Sequence, residues 1–352
     1  MQQRQLPERL ASKVLALDDD RWLRFVQSTE EAQPSHHPGW ASMLAECYGY
    51  GTFVLALTDA AGNIVGGLPF ADVKVPLLGR KWVSLPFTDY VPPLMASSDL
   101  GPLLIAELDS LRRSERVDRA EIRASVGHGA AHVIERGFRH VLPLDADLDS
   151  IFSSFHRSRV QGGIRKAERE GTVVRPGRRI EDLTHVYYSL HAQTRRRLGV
   201  PVQPRRFFEL LWRRIIDPGL GRLLLAEVGG HAIAGVVVVS WGKAAIYKYS
   251  ASAPDVSPYK PTHLILWHAI RDACEAGYAE FDFGRTDFDN PGLRSFKLSW
   301  GPREEILAYS IVALDPPTHV RAGPSPLIRA AIRRSPVAVA RVIGQLLYKY
   351  AS

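Results

Sequence analysis

Short apolar runs and longer amphipathic segments alternate along the chain, which is typical of a protein that mixes strands and helices. In the first part, Gly62 lies in a turn between two strand-like runs, and Gly137 is interpreted as the residue that ends a helix. The predicted elements are a helix at 38–48, strands at 52–57 and 63–70, a helix at 100–113, a strand at 119–123, a helix at 130–136 and a strand at 138–142.

The same order of elements begins again near residue 148. A long helix is predicted at 148–170, loosened at Gly162–Gly163 and ended by Gly171. The Gly229–Gly230 pair predicts a hairpin. The further elements are a strand at 172–175, helices at 180–197 and 204–215, strands at 222–228, 232–240 and 244–250, a helix at 261–276, a strand at 280–283, a helix at 291–298 and a strand at 305–314. The repeated order predicts two α/β domains with mixed sheets, at 1–147 and 148–315.

The segment 316–352 differs in composition from both predicted domains. It contains five prolines, among them the Pro316–Pro317 pair. It also contains six Lys or Arg residues and no Asp or Glu. Two basic amphipathic helices are predicted, at 327–334 and 337–350. One interpretation is a surface that contacts an anionic membrane or RNA. The alternative is a C-terminal helical tail that packs back on the body with its basic face in water.

Composition narrows the class of protein. The 352 residues carry a formal net charge of +8, which is compatible with nucleic acid, phosphorylated substrates or anionic membranes as partners. Cys47 and Cys274 are the only cysteines, too few for a disulfide framework or a four-cysteine zinc site. Residues 1–9 are polar, and no run of about twenty apolar residues occurs. We therefore expect a cytoplasmic protein, with contact to the inner membrane surface as a further expectation.

Three stretches of the second predicted domain form a recognisable combination. They are FHRSR at 155–159 with GIRKAEREGTVV at 163–174, TRRRLG at 194–199, and FDFGRT at 281–286 followed by GLRSFK at 292–297 and WG at 300–301. Their order and spacing resemble the Fem family of peptidoglycan-bridge aminoacyltransferases and the Fem-related GNAT-type acyltransferases. The resemblance covers most of 150–315. It is weaker in the first domain, through HHPGW at 36–40 and SLPFTDY at 84–90.

The resemblance implies two tandem GNAT-like domains and the transfer of an acyl or aminoacyl group to an amine. In Fem enzymes the lysine of the "FK" pair lies at the reacting end of the transfer RNA, and Lys297 matches it. A fixed cation near the tetrahedral oxyanion lowers the barrier of such a transfer. Phe296 is a candidate to face the terminal adenosine, or else a core residue. Asp282 and Arg285 lie at a strand end followed by a loop and are further catalytic candidates, with Asp282 either accepting a proton from the attacking ammonium group or only orienting Arg285.

Arginines crowd two regions that are candidates for phosphate binding, because a guanidinium group binds phosphate through two parallel hydrogen bonds. Arg197 is the candidate in the first region, where the resemblance implies an arginine for the phosphates of the acceptor. Arg159 and Arg165 belong to the second region, a basic stripe on the helix at 148–170. For several of these arginines the alternative is a solvated helix face.

The segment after the strand at 244–250 helps to distinguish acyl-CoA from aminoacyl-tRNA as the donor of the transferred group. An acyl-CoA enzyme is expected to hold the pyrophosphate there on backbone N–H groups, but this segment contains no glycine and has Pro254, Pro258 and Pro261. The Gly162–Gly163 pair is rejected as a substitute because it is expected at the far end of the domain. Aminoacyl-tRNA is therefore the favoured donor, without a bound cofactor. Acyl-CoA or an acyl carrier, and a non-catalytic membrane-surface module, stay as alternatives.

The acceptor is expected to be a phosphorylated cell-wall precursor or a small-molecule amine. No metal site is predicted, because His36 and His37 are adjacent, and His263 and His268 are five residues apart.

Overall fold

The computed structural model describes residues 10–75, 79–315 and 326–350. It divides into two compact units. Unit 1 consists of the described parts of Met1–Gly137 and Ile306–His319, and unit 2 consists of those of Phe138–Glu305 and Val320–Ser352.

Unit 1 is a mixed sheet with helices. Its elements are β1 (Ala11–Leu15), α1 (Asp20–Ser28), α2 (Pro38–Tyr48), β2 (Gly51–Thr58), β3 (Ile64–Val75), β4 (Gly79–Val83), β5 (Leu94–Met95), α3 (Gly101–Ser114) and β6 (Arg119–Ile122). The strand order is β1-β2-β3-β4-β6, with β5 beside β3, and the last strand of the chain, at Arg303–Ala313, pairs with β6. β4 and β6 are parallel, whereas the other pairs are antiparallel.

Unit 2 repeats this plan with more helices. Its elements are β7 (Ala131–Pro143, from residue 138 onward), α4 (Leu148–Ser154), α5 (Gly162–Arg169), β8 (Val173–Pro176), α6 (Tyr188–Leu198), α7 (Arg205–Leu211), β9 (Gly221–Val228), β10 (His231–Trp241), β11 (Ala244–Ser252), α8 (Pro261–Glu275), β12 (Glu280–Thr286), α9 (Pro291–Leu298), β13 (Arg303–Ala313, up to residue 305), α10 (Pro326–Arg334) and α11 (Val337–Leu347). The strand order is β7-β12-β11-β10-β9-β8.

Among the described strands of unit 2, only β11 and β12 pair in parallel, and a ligand site is expected near their carboxyl ends. β11 and β12 pair from Ala244 with Glu280 to Ile246 with Asp282, near the beginning of both strands. Both strands continue beyond this pairing, to Ser252 and Thr286. The carboxyl ends of neighbouring parallel strands are where α/β sheets bind ligands. Helices α8 and α9 begin shortly after these two strand ends.

Two sequence predictions of secondary structure are wrong. Residues 130–136 are not a helix, because β7 begins at Ala131 and continues through Gly137. In a segment this short, with Val133 and Ile134 as its apolar residues, periodicity alone does not distinguish a helix from a strand. The predicted helix at 148–170 is interrupted at Phe155–His156, seven residues before the glycine pair, and a π-helical turn at Arg157–Gln161 leads into α5. The strands β1, β4 and β5 and the helix α1 were not predicted.

The basic tail packs on the body of unit 2 through α6. Arg196 donates from Nε to the Ser335 carbonyl at 2.7 Å, and the guanidinium of Arg341 lies 5.1 Å from the centroid of the Tyr188 ring. Gly344 approaches the backbone of Val202 so closely that a Cβ would lie 1.8 Å from the Val202 carbonyl oxygen. The predicted helical tail is confirmed over 326–347, and the predicted residues 316–325 lie outside the described ones.

Candidate functional site

A cleft of about 440 Å³ lies in unit 2 between α5, the beginning of α8 and α9. We call it the basic cleft, because its described lining contains three cations and no carboxylate. The lining residues are Ser158, Arg159, Gly162, Gly163, Lys166, Lys260, His263, Gly292, Ser295, Phe296 and Ser299. Residues of the first and third motif stretches therefore meet at one surface. A concave site with converging polar groups is the usual form of a ligand pocket.

Glycine makes this cleft possible at two positions. A Cβ at Gly163 would lie 2.6 Å from the ring of His263, so only glycine lets α5 approach α8 this closely. Gly162 has only the Arg157 carbonyl within 4 Å of where its Cβ would be, at 3.6 Å. The expectation that this pair lies at the far end of the domain is wrong. It lines the same cleft as Lys260, which immediately precedes α8.

The three cations of the basic cleft come from separate elements. Arg159 lies in the π-helical turn and donates from Nη1 to the Ser295 hydroxyl on α9 at 2.9 Å. Lys166 belongs to α5. Lys260 has a φ of 47°, a left-handed conformation that a non-glycine residue rarely adopts. The same loop has a second positive φ at Asp255, so it turns without glycine.

Phe296 lies between the basic cleft and the core of unit 2. Its ring lines the basic cleft, and it also packs edge-on against His263 and Trp300, with centroids 5.6 and 6.2 Å away. Burial and, to a smaller extent, the nearby charge of Lys260 lower the pKa of His263 to about 4. His263 is therefore neutral at physiological pH. Its Nδ1 has no hydrogen-bond partner among the described residues.

Lys297 is buried behind this surface. Its side chain is directed to the end of β12, where Nζ donates to the carbonyl oxygens of Gly284 and Arg285, both at 2.9 Å. Only 3% of the residue is exposed. The two hydrogen bonds fix the end of β12 against α9.

Asp282 is a buried partner of Arg139. Its carboxylate accepts from Arg139 Nε at 2.7 Å and from the Gly284 backbone N–H at 2.7 Å. Arg139 also lies 3.6 Å from Glu305. The carboxylate thus orients the β12 backbone at the glycine whose carbonyl binds Lys297. Gly284 has a φ of 72°, which explains why glycine occupies this turn.

The remaining predicted site residues are spread over unit 2. Arg285 is half-buried and pairs with Asp287 at 3.0 Å. Arg197 is exposed and reaches the end of β11, where Nη2 lies 3.3 Å from the Ser252 hydroxyl. Arg165 lies over the Phe152 ring at 5.7 Å and does not line the basic cleft. Of the predicted site residues, the cleft brings together Arg159 and Phe296. The roles predicted for all of them stay predictions.

Sequence reasoning missed the cluster around His140. This histidine is fully buried, and its Nε2 lies 3.0 Å from Glu304, which Arg294 also binds through two nitrogens. Burial lowers the pKa of His140, and the positive charge of Lys297 lowers it further. The hydrogen bond from Arg294 lowers the pKa of Glu304. Only the alternation of polar residues in β7 and β13 signals this cluster in the sequence.

Within 10–75, 79–315 and 326–350, no group of three or more metal-ligating side chains is positioned to hold an ion. None of the helices in these ranges has the length and apolar character that crossing a membrane requires.

Comparison with known proteins agrees with the motifs and the fold. Residues 154–297 match the family model of the acetyltransferase (GNAT) domain. A lipid II:glycine glycyltransferase of Staphylococcus epidermidis is 30% identical over 109 residues, which are 29% of this chain and 26% of that protein. The chain thus spans about a quarter of the length of this curated relative.

Solved structures extend the likeness to both units. The crystal structure of FemX has a TM-score of 0.68 at 18% identity, over 86% of this chain and 97% of FemX. A tandem GNAT protein from the clavulanic acid biosynthesis pathway has a TM-score of 0.52 at 12% identity, over 88% of this chain and all of that one. These likenesses show the fold.

Residues 154–297 thus match a GNAT-type acyltransferase domain, and part of the chain is similar to lipid II:glycine glycyltransferases, in agreement with the resemblance to Fem-related GNAT-type proteins that the motifs indicated. The predicted fold class, two tandem GNAT-like α/β domains with mixed sheets and a basic helical tail, is confirmed.

Proposed function

We propose that this protein transfers an aminoacyl group from aminoacyl-tRNA to an amine of a cell-wall precursor or a small molecule. The basic cleft carries the proposal. It joins Arg159, Lys166 and Lys260 to Phe296, the aromatic residue of the "FK" pair. Cations beside a half-buried aromatic ring that lines the cleft suit an RNA end, because phosphates pair with the cations and a base stacks on the ring. A relative with partial coverage is named as a glycyltransferase acting on lipid II.

The loop before α8 favours RNA over acyl-CoA. Pro254, Pro258 and Pro261 have no N–H groups, so this loop is poorly suited to hold a pyrophosphate through its backbone. The positive charge of the basic cleft comes instead from side chains. Side-chain cations follow a phosphodiester backbone as well as a compact pyrophosphate. Acyl-CoA stays the second candidate, because the matched family model describes an acetyltransferase domain.

Lys297 is proposed to act from behind the cleft. Its bonds to the Gly284 and Arg285 carbonyls hold the end of β12, and its buried positive charge is preorganised for an oxyanion that develops nearby. Asp282 supports the same backbone through the Gly284 N–H. Arg285, which follows Gly284, is proposed to orient the substrate. On this view Lys297 and Asp282 position the reacting surface, whether or not they touch the substrate.

Transfer of radiolabel tests the donor directly. The full chain is incubated with a pool of charged transfer RNAs and membrane-derived acceptors, with and without ribonuclease, beside a matched acyl-CoA series. We expect ribonuclease-sensitive transfer. Replacing Lys166 or Lys260 with Gln should raise KM for the RNA at least tenfold, whereas Lys74→Met, a change of an exposed lysine of β3, should leave it unaltered. Transfer from acyl-CoA alone would overturn the proposal and support the second candidate.

A membrane contact through the tail belongs to the same proposal. The outer surface of α10 and α11 exposes Leu327 at 83% and Val342 at 54%, beside exposed Arg333 and Arg334. Apolar residues flanked by cations suit an anionic lipid surface. Residues 316–352 contain no acidic residue that would oppose such a contact.

Vesicle flotation tests this contact. The protein should float with phosphatidylglycerol vesicles at low salt and not with phosphatidylcholine vesicles, and Val342→Asp should weaken the binding. Since Val342 is exposed, this variant leaves the packing on α6 intact, unlike deletion of the tail. Equal binding of the variant and the wild type would remove the tail from the membrane contact.

A further inference from the structure

Helix α9 directs different side chains to the basic cleft and to the sheet. Four residues at helical spacing line the cleft, namely Gly292, Ser295, Phe296 and Ser299. Arg294 and Lys297 lie three residues apart, so their side chains leave the opposite face of the helix together. Two cations on one helix face repel each other unless polar partners offset their charge. Lys297 has such partners at the end of β12, and those of Arg294 lie elsewhere on the sheet.

Arg294 binds a carboxylate and an aromatic ring. Its Nε and Nη2 donate to the two carboxylate oxygens of Glu304 at 2.8 and 2.5 Å, a paired arrangement that fixes the orientation of both groups. Its guanidinium group lies 3.9 Å from the centroid of the Phe138 ring, and Phe288 packs edge-on against the same ring at 5.0 Å. Arg294 therefore ties α9 to β7 and to Glu304 of β13 on the face that it shares with Lys297.

His140 continues this contact into the interior. It is fully buried, and its Nε2 lies 3.0 Å from Glu304 Oε2. An ionised carboxylate only accepts hydrogen bonds, so Nε2 carries the hydrogen and donates it. The lone pair is then on Nδ1, which is buried and has no hydrogen-bond partner in the described part of the chain. A proton added to Nδ1 would create a buried N–H donor without an acceptor, which is costly.

The charges around His140 favour its neutral form. Burial lowers its pKa and so does the charge of Lys297 on α9, whereas Glu304 on β13 and Asp282 on β12 act in the opposite direction. Asp282 is itself paired with Arg139, the neighbour of His140 in β7. The net shift is downward, so the ring is neutral at physiological pH. Glu304 stays ionised, because its hydrogen bonds from the guanidinium group lower its pKa.

We propose that Arg294, Glu304 and His140, which we call the α9 anchor, are positioning residues for the reacting surface of unit 2, and that they act while His140 is neutral. The α9 anchor fixes the sheet face of α9, and with it the place of Lys297 at the end of β12. Ser295 fixes the cleft face separately, through its bond with Arg159. The reaction that this surface serves rests on the function proposed above, whereas the positioning of α9 does not.

Steady-state transfer by the full chain, with whichever donor is active, tests the α9 anchor. Glu304→Gln removes the charge that pairs with Arg294. It should lower kcat roughly tenfold or more, because small misplacements of reacting groups are costly, and it should change KM for the donor less than about twofold. The cations of the basic cleft lie outside α9, which is why donor binding should persist. Arg294→Gln is the second variant, with the same expectation, should Glu304→Gln fold poorly.

A matched control removes a carboxylate from another ion pair of the same unit. Glu280 begins β12 and lies 3.8 Å from the largely exposed Arg303, so Glu280→Gln should keep the kcat of the wild type. Wild-type kcat in both Glu304→Gln and Arg294→Gln would overturn the inference. A rise in KM without a fall in kcat would also overturn it, because that result would assign these residues to donor binding.

The pH profile of kcat separates positioning from a contribution to stability alone. His140→Gln keeps an N–H donor for Glu304 but cannot be protonated. Below the ordinary imidazole pKa of 6.5, kcat of the wild type should therefore decline more steeply than kcat of this variant, since protonation adds a positive charge beside Lys297. The acceptor amine titrates alike in both proteins, and His263, with a pKa of about 4, stays neutral over most of this range. Parallel profiles would overturn the requirement for a neutral His140.

Amide hydrogen exchange in α9 tests the α9 anchor without any substrate. Glu304→Gln should accelerate exchange at 291–298, whereas Glu280→Gln should not. Faster exchange in Glu304→Gln, combined with no transfer from any donor by the wild type, would keep the anchoring of α9 and refute the proposed function alone. Unchanged exchange in Glu304→Gln and Arg294→Gln would overturn the α9 anchor, whichever donor the protein uses.

Discussion

Replacing Lys297 with Met tests whether a buried ammonium group supports the reacting surface of unit 2. Methionine keeps the length and apolar stem of lysine but removes the donor to the Gly284 and Arg285 carbonyls. Each hydrogen bond from a charged group contributes about 1.5–3 kcal/mol, and buried carbonyls left without a partner cost about 1–3 kcal/mol. Relief from burying the ammonium charge offsets part of this loss.

The net loss of unfolding free energy should be about 2–4 kcal/mol, once these opposing contributions are combined. For a domain of this size, about 2–4 °C of Tm corresponds to each kcal/mol, so Tm should fall by roughly 5–15 °C. Turnover should fall roughly 100-fold or more, on the scale of losing one oxyanion donor. The fall should appear in kcat at a temperature where the variant is still folded.

Calorimetry and single-turnover transfer assays measure the two effects separately. Lys74→Met is the control for the same chemical change at an exposed position. An unchanged Tm would refute the energetic role of the two carbonyl bonds. Normal turnover in a folded variant would remove Lys297 from the mechanism, whatever its effect on Tm. A Lys297→Arg variant that recovers Tm without recovering kcat would show that stability needs only a hydrogen-bonded positive charge, whereas catalysis needs the amine at its exact position.

Three further predictions concern packing, titration and the tail. Gly162→Leu should fill the basic cleft and raise KM for the donor with little change in Tm. Gly163→Ala should instead lower Tm, because the added Cβ would clash with His263. Equal Tm values for the two variants would contradict this packing. Burial lowers the pKa of His36 to about 4, so the folded state binds this proton less readily than the unfolded chain does. The free energy of unfolding should therefore decline as the pH falls from about 6.5 toward 4, and this histidine should account for about 3 kcal/mol of the decline. An NMR titration that places the His36 pKa near 6.5 would refute this prediction. Gly344→Ala should detach α11, seen as faster amide exchange in 337–347 alone, and unchanged exchange would contradict the Val202 contact.

The alternation of strands and helices determined most of the secondary structure. Extended apolar runs at β9, β10 and β11 and helix-ending glycines such as Gly199 and Gly277 are local signals, because they depend on side-chain period and on positive φ. Residues 130–136 show that such local signals do not always predict the correct element. Strand β7 continues through Gly137, which the sequence alone had indicated as a helix stop.

The motifs determined the family resemblance and identified residues of the basic cleft, since Arg159 and Phe296 are in them and line it. Tertiary structure alone decided the rest. Whether Gly162 and Lys260 face one cleft depends on how α5 packs against α8, and no local rule encodes the distance between residues about a hundred positions apart. The same holds for Lys297, whose lysine stem suits either solvent or interior. Packing of α9 against the end of β12 turns it inward, where backbone carbonyls replace water as the partners of its charge.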